Sequence, residues 1–333
     1  MTTYKGIKGF TIQTITGDPS DPILGQVWYN TTTNVLKGYA SVTGAWASAP
    51  TMDTATATSG LTGTLTAAIN MAGFYDQTTT QYYNGTAWSG VVGALNQGRN
   101  SPGAFGTQTA AICVVGYKTD DNAAYDVSET WNGTSWTEGN NANTARGYVA
   151  ASNQGTTTAG IFYGGQNEGP SPPHPHSALT ESYDGTNWTE VADLNTARKG
   201  PAGGGTSTAA FCAGGEYPTP SQVLTEIWNG TSWTEVAALN SAKFLSGSSG
   251  ITTAALVYGG DVGSGTTDTT ESWNGTAWTE VADLAASRRQ MGKGTGSSTS
   301  ALCAGGSTPS PPPVGSLTEE WAEGPAVVTF TSS

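Results

Sequence analysis

The chain has 333 residues and a formal net charge of −13, with only 12 Lys and Arg, a balance that excludes a compact nucleic-acid-binding protein. Hydrophobic residues make up 36%, below the usual share, and no run of 18 apolar residues exists, so no membrane insertion is expected. Gly is abundant at 46 residues, but it recurs at fixed offsets beside frequent Thr, Ser, Trp and Tyr, which points to turns between strands rather than to disorder.

The first residues, Met1 to Gly6, lack the apolar core of a secretory signal, so folding in a cytoplasm is expected. Residues 6–15 alternate weakly and read as a strand or an extended arm. Gly17-Asp18-Pro19-Ser20-Asp21-Pro22 is turn chemistry. From Gly25 to Tyr39 the chain reads as strand, polar turn and strand. Residues 1–44 are therefore expected to form a small β segment, separate from a repeat region at 45–333.

The repeat region carries one stretch several times. It reads QYYNGTAWSG at 81–90, ETWNGTSWTE at 129–138, ESYDGTNWTE at 181–190, EIWNGTSWTE at 226–235 and ESWNGTAWTE at 271–280. Its second aromatic falls at Trp88, Trp136, Trp188, Trp233 and Trp278. Spacings of this size mark a repeat architecture. Each copy predicts a hairpin, since Asn-Gly or Asp-Gly tolerates positive φ and the flanking aromatics face each other across the strands. Trp46 looks like the returning strand of a repeat whose earlier part is missing at this end.

A basic residue follows the second aromatic at Arg146, Arg198, Lys243 and Arg288, and a Glu recurs at 129, 181, 226, 271 and 319. Matched periods of opposite charge predict ion pairs within or between repeats. Each unit also holds a strand ending in Gly-Gly, at 164–165, 214–215, 259–260 and 305–306; the first two copies have Ala72-Gly73 and Val115-Gly116 instead. The last copy, around Trp321, lacks the Asn-Gly turn and the second Trp. Four strands per unit of about 45 residues, repeated six times, suit a β-propeller.

This grammar resembles the kelch repeat: Arg ahead of the first strand, Gly-Gly closing the second, Tyr ending the third, Trp in the fourth. The resemblance covers residues 45–330 and implies an all-β, six-bladed propeller of four-stranded antiparallel blades. Such rings often complete one blade from both chain ends. The strand at Trp46 or the one at Val327 to Phe330 could fill that slot, and the sequence does not decide.

Catalytic constellations are sparse. The two histidines, His174 and His176, share one Pro-rich loop, so a copper centre built from several blades is excluded. Cys113, Cys212 and Cys303 occupy one slot of three repeats and read as buried small side chains. The Asp-box of sialidases is similar to the hairpins, but no arginine triad accompanies it. The Asn-Gly-Thr sequons are explained by turn chemistry. Lys118 to Asn122 does not match a calcium loop. No enzyme activity and no cofactor is called for.

Function is expected on the loops between second and third strands, at 117–127, 166–178, 216–223, 261–268 and 307–316. Candidate binding residues there are Asp120, Asp121, His174, His176, Tyr217 and Asp261. The run WNGTSWTEVADLNTAR, with the GQVWYNTTT lead-in, resembles kelch-like virion proteins of tailed, particularly marine, bacteriophages. That resemblance implies a non-enzymatic tail-fibre, adhesin or decoration protein located on the virion. Residues 1–44 would hold other virion proteins, the propeller would meet a host glycan or envelope protein, and homo-oligomers stay open. The alternative is a glycosidase on the same fold, which would need two carboxylates about 5–10 Å apart.

Overall fold

The repeated hairpin forms, with an unexpected division of roles inside the turn. In the computed structural model, which describes residues 12–167, 174–217, 221–308 and 315–330, Trp131 pairs with Trp136, Tyr183 with Trp188, Trp228 with Trp233 and Trp273 with Trp278. Their ring centroids lie between 4.6 and 5.5 Å apart. Of the Asn132-Gly133 pair only the glycine is left-handed, at φ 94°. Asn132 contributes its side chain: Oδ1 accepts the N–H of Thr134 and of Ser135, each at 2.9 Å. Asn84, Asp184, Asn229 and Asn274 do the same. Asn and Asp are selected here as acceptors, and positive φ falls to Gly. The Asn187 and Thr186 amides accordingly hold the Asp184 carboxyl below its ordinary pKa.

The chain divides into two units, residues 45–322 and residues 1–44 with 323–333. All regular elements among the described residues are strands. In the larger unit, five antiparallel four-stranded sheets follow one another. Sheet 1 holds Gly60–Thr64, Ala67–Met71, Thr79–Tyr83 and Trp88–Ala94. Sheet 2 holds Gly103–Thr107, Ala110–Lys118, Ala123–Trp131 and Trp136–Glu138. Sheet 3 holds Ala150–Ala151, Gly160–Tyr163, Thr180–Tyr183 and Trp188–Val191. Sheet 4 holds Ala202–Thr206, Ala209–Ala213, Thr225–Trp228 and Trp233–Val236. Sheet 5 holds Gly247–Ile251, Ala254–Tyr258, Thr270–Trp273 and Trp278–Val281.

A sixth group is assembled from distant sequence. Ser300–Ala304 pairs with residues 318–322 of the strand Thr318–Phe330. Gly296 bridges to Ala301, and Gly292 donates to the Ala304 carbonyl, so residues 292–296 run along its inner side. Trp46, in the strand Val35–Ala49, packs on Trp321 at 5.6 Å and on Tyr258 at 4.7 Å. It supplies the second aromatic that the last repeat lacks. The slot left open between Trp46 and the C-terminal strand is thus occupied by Trp46.

Neighbouring groups share apolar cores. Among the described residues there are six clusters, and each draws on two consecutive groups. One of them joins Leu302 and Ala304 of the sixth to Leu61, Tyr83 and Trp88 of the first. Indole hydrogen bonds run the same way. Trp136 Nε1 donates to Thr80 Oγ1 of sheet 1, Trp233 to Thr180, Trp278 to Thr225, Trp46 to Thr270 and Trp88 to Thr318. Trp188 departs from this, donating to the Asn140 carbonyl of the preceding repeat. Buried Trp needs such an acceptor for its N–H.

A closed cycle of six backbone bonds links the residues just ahead of the first strand of each group. Ser101 N donates to Thr58 O, Tyr148 to Ser101, Gly200 to Tyr148, Leu245 to Gly200, Gln290 to Leu245 and Thr58 to Gln290, over 2.6–3.1 Å. All six residues are left-handed, with φ from 53° to 62°. Five are not glycine, and each such residue costs roughly 1–2 kcal/mol of backbone strain. Gln290→Gly is therefore expected to raise stability by about 1 kcal/mol in urea denaturation, because Gly200 already serves the same slot. The double-Gly turns obey the same rule: Gly164 and Gly165 are both left-handed, and Ala72 and Val115 are forced to φ 60° and 52° where Gly is missing.

Buried ion pairs hold five of the six repeats to themselves. Arg146 Nη1 meets Glu181 Oε1 at 2.8 Å, Arg288 meets Glu319 at 2.8 Å, Lys243 meets Glu271 at 3.2 Å, and Arg198 meets Glu226. Arg99 and Glu129 form a fifth pair at 3.1 Å. The charge periodicity is realised within a repeat rather than between repeats. In the first repeat Thr56 and Gln81 stand at these positions; Gln81 Oε1 accepts Thr54 N at 2.9 Å and its Nε2 donates to Thr54 O at 3.1 Å.

In the smaller unit, Gln13–Ile15 runs parallel to Val27–Asn30, which pairs antiparallel with residues 35–38. The strand, turn and strand expected between Gly25 and Tyr39 are present. Asp18 organises it, accepting from Trp28 Nε1 at 3.1 Å, Asn30 Nδ2 at 2.7 Å and Lys37 Nζ at 2.8 Å. Lys37 first, then Asn30, keep its carboxyl below the usual range. The start of the arm expected at 6–15 lies outside the described residues.

Candidate functional site

The second strand of each repeat ends where the first begins, since Gly60 pairs with Met71 and Gly103 with Val114. The loops that follow therefore gather at the end marked by the backbone ring. Residues 168–173, 218–220 and 309–314 of the expected loops lie outside the described residues.

The six candidates do not form one cluster. Asp121 pairs with Lys118 Nζ at 3.2 Å and accepts the Tyr125 hydroxyl. Asp120 donates its N–H to Asp76 Oδ2 at 3.1 Å, and Asp76 Oδ1 accepts Thr119 N at 2.9 Å. Asp76, from the preceding repeat, organises this loop and carries no sequence signal. The His174 carbonyl accepts Gln166 Nε2 at 2.7 Å. Asp261 is buried; it pairs with Arg289 and accepts Gly263 N at 2.8 Å.

His176 and Tyr217 are brought together, with ring centroids 6.1 Å apart. Burial first, then the positive charge of Lys199, holds His176 below its ordinary pKa, and Glu216 opposes this. Lys199 pairs with Glu216 at 3.4 Å and sits 5.7 Å from the Tyr148 ring, which lies 6.4 Å from Tyr117. Tyr117, Tyr148, Lys199, Glu216, His176 and Tyr217 thus make a continuous aromatic and charged strip across three repeats. Tyr217 is 44% exposed. Sequence reasoning named only two of the six, because Tyr117, Tyr148 and Lys199 come from different points of their repeats.

Beneath the ring lies Lys293. Its Nζ donates to Val149 O at 3.0 Å and Pro201 O at 3.2 Å, and residue 293 bridges to Gly60. Through its amine and its backbone, this one residue therefore joins four repeats. The side chain is half-buried and its ammonium lies deep; burial lowers its pKa from 10.5 to about 8, with a small opposing effect from Cys212. A base whose folded pKa is depressed binds fewer protons folded than unfolded between those values, so stability rises with pH there. Lys293→Met should flatten this: the stability of the native chain relative to the variant is expected to rise by roughly 2 kcal/mol from pH 8 to 10.5, after discounting for partial exposure. Chemical denaturation across that range measures it, and parallel profiles would refute it.

Cys113, Cys212 and Cys303 are free and buried in separate sheets, and burial raises each thiol. Among the described residues, no three His, Cys, Asp or Glu are placed to share a metal ion. Among them, too, no helix is long and apolar enough to cross a membrane. No protein-family model matches the chain, and no curated protein is significantly similar to it.

Proposed function

We propose that residues 45–322 form a six-bladed, kelch-like propeller and that the chain is a non-enzymatic binding protein. Three series of contacts support the blade number: the apolar clusters, the indole bonds and the backbone ring each return to the first repeat after six steps. The observation that carries the binding reading is the strip of Tyr117, Tyr148, Lys199, Glu216, His176 and Tyr217. Aromatic faces beside paired charges suit a sugar ring or an envelope protein. The regular carboxylates, by contrast, are engaged by buried cations and backbone amides, which leaves them unsuited to acid–base work.

In this reading residues 1–44 attach the protein to a larger particle, in keeping with the resemblance to tailed-phage virion proteins, as tail fibre, adhesin or decoration subunit. Tyr217→Ala with Lys199→Ala is expected to cut binding to bacterial envelope polysaccharide at least tenfold with an unchanged melting temperature. A chain lacking residues 1–44 should stay folded and no longer sediment with particles. Assembly of that truncated chain would overturn the tether. Release of reducing sugar from the polysaccharide would replace the binding reading with a glycosidase.

A further inference from the structure

The opposite end of the inner strands carries a second feature. There the turns after Gly63, Gly106, Asn153 and Gly296 surround a cavity of about 730 Å³. That volume falls within the range of small-molecule sites. It is distinct from the aromatic strip, which follows the second strands at the other end, and nothing about it depends on the binding reading above.

The chemistry of its wall is narrow. Its residues are Gly, Ala, Leu, Thr, Ser, Asn and Gln, without one charged side chain, in a chain whose net charge is −13. Thr64, Thr107, Thr156 and Ser297 give hydroxyls that both donate and accept. Leu65 and the glycine methylenes give apolar surface between them. A charged ligand would find no counter-charge here, and burying it unpaired is costly.

Asn153 is the fixed point. It is 3% exposed. Its Oδ1 accepts Gly205 N at 3.1 Å and its backbone carbonyl accepts Thr62 Oγ1 at 2.8 Å. The bond from Gly205 settles which end of the amide is oxygen. Its Nδ2 has no protein partner, and a buried donor without an acceptor costs about 1–3 kcal/mol. Room for this side chain is made by Gly294, where a Cβ would come within 2.5 Å of Asn153 Cβ. Two residues on, Gly296 lines the cavity; between them Thr295 Oγ1 is fully buried and also lacks a protein partner.

We propose that this cavity is a binding site for a neutral saccharide, with Asn153 Nδ2 donating to a sugar oxygen. Such a ligand offers acceptor oxygens to the amide, hydroxyls to the threonine rim and C–H faces to Leu65 and the glycines. It carries no charge that the wall would have to neutralise.

The test uses the full chain, isotope-labelled, titrated with maltotriose and cellotriose, with glucuronate as the charged control. The Asn153 side-chain amide and the amides of Gly63, Gly106 and Gly296 should shift in NMR spectra with at least one neutral trisaccharide and not with glucuronate. Asn153→Asp keeps the acceptor for Gly205 and removes the donor, and should weaken binding at least tenfold. Thr107→Trp, on the exposed rim, should abolish it while leaving the melting temperature unchanged. Absence of shifts with both trisaccharides, equal shifts with glucuronate, or undiminished binding by Thr107→Trp would overturn the proposal. Undiminished binding to envelope polysaccharide by the Tyr217→Ala, Lys199→Ala chain would sink the strip reading and leave this proposal standing, so the two readings fail separately.

Discussion

Glu181→Ala is expected to destabilise the protein by about 3–5 kcal/mol, the cost of leaving a buried cation unpaired. Glu181 is wholly buried, and its carboxylate accepts Asn143 N at 2.7 Å, Asn143 Nδ2 at 3.0 Å, Thr144 N at 3.3 Å and Arg146 Nη1 at 2.8 Å. Removing it takes the acceptor from the Asn143 and Thr144 amides and the counter-charge from Arg146, while Asn143 Nδ2 keeps Trp188 O at 3.1 Å and Arg146 Nη1 keeps Thr144 O at 3.3 Å. Arg146 lies against the Phe162 ring at 4.4 Å, its Nε already without a partner, and burial pushes its pKa down with Glu181 the chief restoring influence. The first repeat shows a neutral solution to the same geometry, with Thr56 and Gln81 at these positions. Arg146→Thr with Glu181→Gln should therefore recover 2 kcal/mol or more of the loss seen with Glu181→Ala. Urea denaturation of the three chains decides it. A double variant no more stable than Glu181→Ala would refute it.

Trp46→Ala is expected to cost roughly 3 kcal/mol, within the range for aromatic truncation in a packed core. Trp46 touches Tyr258 and Trp321, and its indole donates to Thr270 Oγ1 at 2.9 Å. Trp46→Phe keeps an aromatic ring in the slot but loses the donor and part of the packing, so a smaller cost of about 1–2 kcal/mol is expected. Removing residues 1–50 takes the whole strand and bares the Trp321 ring, which is 1% exposed in the intact chain. That chain should lose cooperative unfolding, whereas one lacking only residues 1–44 retains Trp46 and its contacts. If both truncations unfold alike, the sixth group is closed by something other than Trp46.

Most of the sheet pattern was legible in the sequence because it rests on local rules. Aromatic–Asn–Gly–Thr–x–Trp makes a hairpin wherever it occurs, and opposite charges at one shared period announce their pairing. Arg99 escaped notice because it stands one position later after Trp88 than the other cations after their Trp, although it meets Glu129 in the same way. The turn asparagines were recognised but their role was misread, since residue identity does not distinguish a side-chain acceptor from a left-handed backbone.

The chain alone thus determined strands, hairpins, the matched periods of cation and carboxylate, and the missing second Trp of the last repeat, since each is a relation between residues close together or in equal register. Tertiary structure alone decided which terminus supplies that Trp, because a strand near residue 46 and one near residue 330 have equal local propensity. It alone decided the ring of Thr58, Ser101, Tyr148, Gly200, Leu245 and Gln290, which share no side-chain chemistry, only a backbone angle imposed by their neighbours. The placement of Lys293 and Asn153 belongs to the same class: one half-buried lysine and one buried amide among many polar residues, given their surroundings by strands brought together from distant parts of the chain.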